Sequence, residues 1–292
     1  CQLKLAFFFK KEKNYIFAMQ ILGLCLLRKY FFKYKMELKI MTESKIPKIL
    51  VNGANGKMGT LACETILNSA DLELVGKAER CDNLIDKIKS CNPDIVLDLT
   101  NAKAVFQNSL DIINSNTIPV IGSSGLTAQH VIELDNIMQS KNLGGLIIPN
   151  FSISAVLMMH TSKIAAKYFN DVNIIEKHHK AKIDAPSGTA LRTADLIAAN
   201  MTCDSENLLK ANHHQETVPH ALGAYYKNIN IHSIRQSGTV ATQTVTFSNN
   251  HESFEITQNS IDRQSFMPGI ILACKKAINI NKLVIGLENL IF

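Results

Sequence analysis

KILVNGANGKMG, residues 48–59, decides the reading of the fold. Lys48–Asn52 is a short apolar run that reads as a strand, and Gly53, Gly56 and Gly59 follow it in a GxxGxxG turn. From Met58 onward, apolar residues recur at helical spacing (Met58, Leu61, Ala62, Ile66), which predicts a helix to Leu67. Glycines between a strand and a helix allow a tight turn and close approach of a pyrophosphate to the helix N-terminus. The spacing alone is a weak signal, and its context strengthens it. Glu79 stands about twenty positions further on, closing an expected strand at 72–78, where a carboxylate can accept hydrogen bonds from a ribose. Arg80 comes next and suits a 2′-phosphate, so the pair predicts tolerance of both NADH and NADPH. The plainer reading of Glu79 and Arg80 is an exposed ion pair at a strand end.

Working outward, apolar strands are expected at 95–99, 118–122 and 146–149, with helices at 102–114 and 127–141 between them. Strands separated by single helices need crossovers and give a parallel sheet buried on both faces. After Asn150 the pattern changes to a helix at 154–168, a strand at 172–176 and a helix at 187–200. A polar loop is expected at 203–226, then three alternating runs at 229–236, 239–248 and 252–259, a helix at 265–277 and an apolar tail. The expected fold is α/β. A Rossmann-like dinucleotide-binding domain takes residues 45–150 and 266–292, and a smaller α+β domain with an open mixed sheet takes 151–265.

Composition sets limits. Formal net charge is +6, but the first forty residues hold nine Lys or Arg against two Glu, leaving about −1 for the rest. The basic balance is therefore no sign of nucleic-acid binding. Seven cysteines are scattered without a CxxC pair or metal-ligand spacing, and they read as small buried residues of a reducing, cytoplasmic protein. The apolar run from Tyr15 to Leu27 falls short of the roughly 20 residues that span a bilayer and lacks a cleavage site. Residues 1–44 are expected to lie outside the fold, disordered or not native, with initiation at Met36 or Met41; a membrane-surface anchor is the minor alternative.

The densest chemistry is EKHHKAKIDAPSGTA, residues 176–190. If the strand continues through it, His178 and His179 point to opposite faces and Lys182 shares the parity of His178; if it is a loop, both rings can face one cleft. Histidine beside lysine suits proton delivery next to an anion. Pro186 fits a helix start, where Ser187, Gly188 and Thr189 would offer backbone N–H groups and a hydroxyl to a carboxylate. Two adjacent histidines without a third ligand make a poor zinc site, so no metal is expected. Taken singly, both histidines would read as surface or capping residues.

The string resembles the signature of the 4-hydroxy-tetrahydrodipicolinate reductase (dihydrodipicolinate reductase) family, roughly E-x-H-H-x-x-K-x-D-x-P-S-G-T-A. VNGANGKMG (51–59), Glu79-Arg80, DLT (98–100), IGSSG (121–125) and PNFSIS (149–154) agree in order, with a weaker match at Arg263, Phe266 and Gly269. The resemblance runs from about Lys48 onward. It implies reduction of a small cyclic dicarboxylate by NADH or NADPH in lysine biosynthesis, with hydride delivered to C4 of the dihydropyridine. Gly53, Ala54, Asn55, Gly56, Lys57 and Met58 would hold the pyrophosphate, and Glu79 and Arg80 the adenosine ribose. Gly122, Ser123, Ser124, Ile148, Pro149, Asn150 and Phe151 would line the nicotinamide side. His178 would be the proton donor, Lys182 a second one, and His179, Gly188 and Thr189 the carboxylate contacts. Family members are generally homotetramers built through the second-domain sheet.

The chain departs from that pattern in three places. Residues 80–97 are short, which bears on the adenine pocket. Ala241-Thr242-Gln243 stands where relatives usually carry Gly-Glu-His, and Gln258 and Ser260 replace a common His and Ala. On the expected sheet, these last changes would bear on assembly more than on chemistry. Two other readings compete. Another two-domain dehydrogenase shares the glycine turn but has no need of His178, Lys182 and PSGT; an NAD(P)-sensing regulator has no need of residues 176–190 intact.

Overall fold

A computed structural model describes residues 45–201 and 216–292. The expectations for 1–44, and for the loop as far as residue 215, lie outside the described residues. The first half runs β1 (Lys48–Asn52), α1 (Lys57–Leu67), β2 (Glu73–Ala78), α2 (Leu84–Cys91), β3 (Ile95–Asp98), α3 (Val105–Asn114), β4 (Ile118–Ile121), α4 (Ala128–Ser140) and β5 (Gly145–Ile147). The chain continues as α5 (Ile153–Ala165), β6 (Asp171–His179), α6 (Gly188–Ala198), β7 (Ala224–Tyr226), β8 (Ile229–Gln236), β9 (Ala241–Asn249) and β10 (Glu252–Ser260). A 3₁₀ turn (Arg263–Phe266), α7 (Met267–Ala277), β11 (Leu283–Ile285) and α8 (Glu288–Ile291) follow.

Six parallel strands form one sheet in the order β11-β5-β4-β3-β1-β2. The four central strands β5, β4, β3 and β1 are buried on both faces because alternate side chains feed two cores, while the edge strands β2 and β11 stay partly exposed. Ile49, Val51, Ile95 and Leu97 join Ala62, Ile66, Ile270 and Ala273 from α1 and α7. Leu50, Val96 and Ile121 join Leu84, Ile88, Val105 and Ile112 from α2 and α3. Each fully buried Leu or Ile contributes about 1.5–3 kcal/mol of transfer free energy. The second sheet, β10-β9-β6-β8-β7, is mixed: β6 and β8 are parallel and the other neighbours antiparallel. The first core continues without a break to Ile174, Val245 and Phe247 of this sheet, so the two lobes share apolar packing.

The structure adds elements that the sequence reading passes over. The short 80–97 segment contains α2, started by the Asn83 side chain accepting from the Asp86 amide and stopped by Asn92 at φ 45°. Within the expected loop, residues 224–226 form β7, turned into β8 by Lys227 and Asn228 at φ 48° and 64°, the positive-φ pair of a tight hairpin. The apolar tail supplies an edge strand, β11, to the parallel sheet. Among the described residues, no helix is long and apolar enough to cross a membrane.

Gly269 fixes how α7 lies on the chain entering α5. A Cβ there would sit 1.9 Å from the Phe151 carbonyl oxygen, a backbone atom that cannot step aside. Gly269→Ala should therefore cost about 1–3 kcal/mol, as overpacked cores do. The fall in denaturant midpoint measures it, and an unchanged midpoint would remove this contact as a constraint.

Candidate active site

The glycine turn has the form of an anion cradle. Gly53 sits at φ +81°, and its amide and that of Ala54 donate to the Ala78 carbonyl, tying the turn to the end of β2. A Cβ on Gly59 would lie 2.1 Å from the Gly53 oxygen, so α1 can pack this close only without one. No side chain caps α1 at Gly56, which leaves its first amides to a ligand, with Lys57 exposed beside them. These features fit a dinucleotide pyrophosphate. Glu79 reaches back and accepts from the Asn55 amide at 2.5 Å, while Arg80 is exposed. Ser123 and Ser124 lie on the loop after β4; Ile148 is buried in the core.

β6 runs on through His179, so the two rings alternate in direction and His178 shares the core-facing parity of Ile174 and Glu176. Glu176 is fully buried and lies opposite Ser233 on β8 and Gln243 on β9. His178 Nδ1 meets its Oε2 at 2.5 Å, Arg235 donates to both oxygens at 2.9 Å, and the Ser187 amide donates to Oε1 at 3.2 Å. Burial pushes this carboxyl up, but the hydrogen bonds from His178, Arg235 and Ser233 outweigh it and bring it from 4.5 to about 2. An ionised carboxylate only accepts, so the His178 proton on this side sits on Nδ1 and Nε2 remains for exchange. Arg235 also donates to the Asp184 carbonyl at 2.6 Å, fastening the 180–187 loop to the same group.

One cavity of about 360 Å³ collects much of this chemistry. Met58, Gly122, Pro149 and Asn150 come to it from the first lobe, and Phe151, His178 and Thr189 from the second. Asn150 donates to the Thr189 hydroxyl at 3.2 Å, joining the two sides. Lys182, His179 and Gly188 stand outside its lining. The Lys182 ammonium is paired with both Asp184 oxygens at 2.8 Å, and that hydrogen bond holds the exposed Asp184 carboxyl below its usual value. Among the described residues, no cluster of three or more His, Cys, Asp or Glu could hold a metal ion.

Ala241, Thr242, Gln243, Gln258 and Ser260, expected to bear on assembly more than on chemistry, also line the cavity. Ala241 and Gln243 on β9 share one parity with Ser260 and Gln258 on β10, which places Gln243 opposite Gln258, while Thr242 has the other parity. Gln243 donates to Thr193 at 2.8 Å, and Thr193 spends its own hydrogen on the Thr189 carbonyl. The Gln243 amide orientation is thereby fixed, and its buried carbonyl oxygen has no partner. Glu176 and Arg235 carry site geometry that the sequence reading does not assign. The signal was parity: Ile229, Ile231, Ser233 and Arg235 share one face of β8, putting a cation on its core side.

Comparison with known proteins shows the family. Residues 47–151 match the family described as dihydrodipicolinate reductase, N-terminus, and residues 154–291 match its C-terminus. A 4-hydroxy-tetrahydrodipicolinate reductase from Legionella pneumophila (strain Philadelphia 1) is 51% identical over 245 residues, covering 84% of this chain and 99% of that protein. The Coxiella burnetii (strain RSA 493) enzyme of the same name is 43% identical over 243 residues, 83% of this chain and 98% of its own. Among solved structures, dipicolinate-bound dihydrodipicolinate reductase from Paenisporosarcina sp. TG-14 superposes with TM-score 0.74 at 34% identity, covering 84% of this chain and 99% of that one.

Glu176→Gln should destabilise the protein by about 3 kcal/mol, because the half-buried Arg235 loses its counter-charge. A depressed carboxyl contributes stability above its unfolded value of 4.5, and the contribution is lost as pH falls through about 2. Urea midpoints of the wild type should thus fall across that window more steeply than those of Glu176→Gln. Parallel profiles would count against the ion pair.

Proposed function

The chain belongs to the dihydrodipicolinate reductase family, and from this premise we propose how its residues reduce 4-hydroxy-tetrahydrodipicolinate to tetrahydrodipicolinate on the route to diaminopimelate and lysine. The reaction uses NADH or NADPH, which supplies the hydride. What supports the assignment of roles is the His178 ring, oriented by a buried Glu176–Arg235 pair on the wall of a cavity whose other wall begins at the glycine turn.

In this reading Gly53–Met58 seat the pyrophosphate, Glu79 and Arg80 meet the adenosine ribose, and Gly122–Ser124 with 148–151 border the nicotinamide. For the ribose, Glu79 trades its bond with the Asn55 amide for one with a hydroxyl. Lys182 exchanges the Asp184 carboxylate for one substrate carboxylate, while His179, Gly188 and Thr189 hold the other. Fixing both carboxylates draws electron density from the ring and aligns its C4 with the nicotinamide side. His178, through Nε2 or a water that it orients, delivers the proton to the developing enamine carbon; Glu176 keeps the ring in the tautomer that can do so. Residues 45–150 with 266–292 act as the cofactor domain and 151–265 as the substrate domain, closing on each other when both ligands are bound.

The protein is proposed to work in the cytoplasm as a homotetramer. The outward face of the second sheet supports that assembly: Thr242 donates to Asn259, Thr244 bonds Thr257 and Thr246 donates to Glu255 in an exposed polar ladder. Sedimentation equilibrium should return four times the chain mass.

NAD(P)H oxidation, with substrate made in place from pyruvate and aspartate semialdehyde, tests the chemistry. His178→Gln and Lys182→Met should each lower the rate on the order of 10²-fold or more, with folding retained by circular dichroism. A near-wild-type rate for either would remove its role.

A further inference from the structure

Asp98 closes β3 and is fully buried, and the described residues that bond its carboxyl are all neutral. Its Oδ2 accepts from Asn52 Nδ2 at 2.9 Å and Asn108 Nδ2 at 2.8 Å. Its Oδ1 accepts from the Thr100 amide at 3.2 Å, the Thr100 hydroxyl at 2.8 Å and the Ser123 hydroxyl at 2.5 Å. A buried carboxylate satisfied only by neutral donors is costly to keep unless every donor is held in place. The donors come from three neighbouring strand ends: Asn52 immediately precedes the glycine turn, Thr100 follows β3, and Ser123 follows β4. Asn108, on α3, donates a second time to the Thr100 hydroxyl at 3.1 Å, so both its amide hydrogens are committed inside the cluster.

We infer that Asp98 is a positioning residue for the cofactor, acting as the hub that sets the pyrophosphate turn and the nicotinamide-side loop at a fixed separation. The inference rests on the reading of Gly53–Met58 and Gly122–Ser124 as cofactor contacts. It goes beyond that reading in one chemical respect. Because Thr100 and Ser123 both spend their hydroxyl hydrogens on Asp98, each can meet a ligand only as an acceptor. The group that reaches Ser123 is therefore a donor, a ribose hydroxyl or a carboxamide N–H, and never a phosphate oxygen.

The test is direct titration of NADH into the whole protein, followed by nicotinamide fluorescence, which no tryptophan obscures in this chain. Asp98→Asn turns an N–H toward donors and should raise the NADH Kd about tenfold, the worth of one hydrogen bond to a charged group. The KM for the dicarboxylate should stay within about twofold, since the substrate side draws on 176–190. Asn108→Ala, which touches neither cofactor loop, should raise the NADH Kd about threefold and carries the test if Asp98→Asn fails to fold. NADH affinities equal to wild type in the folded variants would overturn the inference. So would cofactor and substrate constants rising together, the mark of a merely structural loss. A wild-type protein that binds neither NADH nor NADPH would instead overturn the cofactor reading beneath it.

Discussion

A carboxylate buried without compensation would cost several kcal/mol, and the second lobe is arranged around avoiding that cost at Glu176. Its donors lie on β6, β8 and the residue that starts α6, so one charge holds two strands and a helix terminus in register. The same charge dictates which nitrogen of His178 carries its proton. Arg235, held by Glu176, in turn grips the loop that bears Lys182. Structure and chemistry here depend on a single desolvated ion pair.

The two lobes meet their acidic hubs differently. Glu176 is answered by a guanidinium and orients the His178 ring, whereas Asp98 is answered by amides and hydroxyls and ties loops together. The donors to Asp98 tie the ends of β1, β3 and β4 together. Gln243 and Gln258 extend the contrast on the cavity wall, where amides supply fixed polarity without titrating.

Much of the fold was legible because its signals are local. The KILVN strand, the glycine turn and the 3.6-residue period after Met58 each lie within a few residues, and the parallel sheet follows from their alternation. What escaped notice depends on distant partners or on few residues. The eight-residue α2 has its caps in plain view at Asn83 and Asn92 but too few turns to show a period. The three residues of β11 become a strand only because β5 has an open edge. At the site, His178, Lys182 and PSGT were legible as a run in the sequence. Arg235 is 59 positions from Glu176, and nothing local announces that pairing; parity on β8 was the available clue. The parity argument also separates His178 from His179, which the sequence left open until β6 was seen to continue.

The place of β11 has a consequence for biosynthesis. Residues 283–285 pair with 145–147, so the parallel sheet encloses the whole second lobe as an insertion and completes its order only after that lobe has been made. A ribosome therefore releases β1 to β5 with the β5 edge bare and Leu146 lacking the neighbour that later covers that flank. Unpaired parallel edges are templates for wrong partners, and nascent chains with exposed edges are where chaperones engage. A fold that returns to its own first sheet gains a shared core between its lobes, and accepts in exchange an interval of vulnerability during translation.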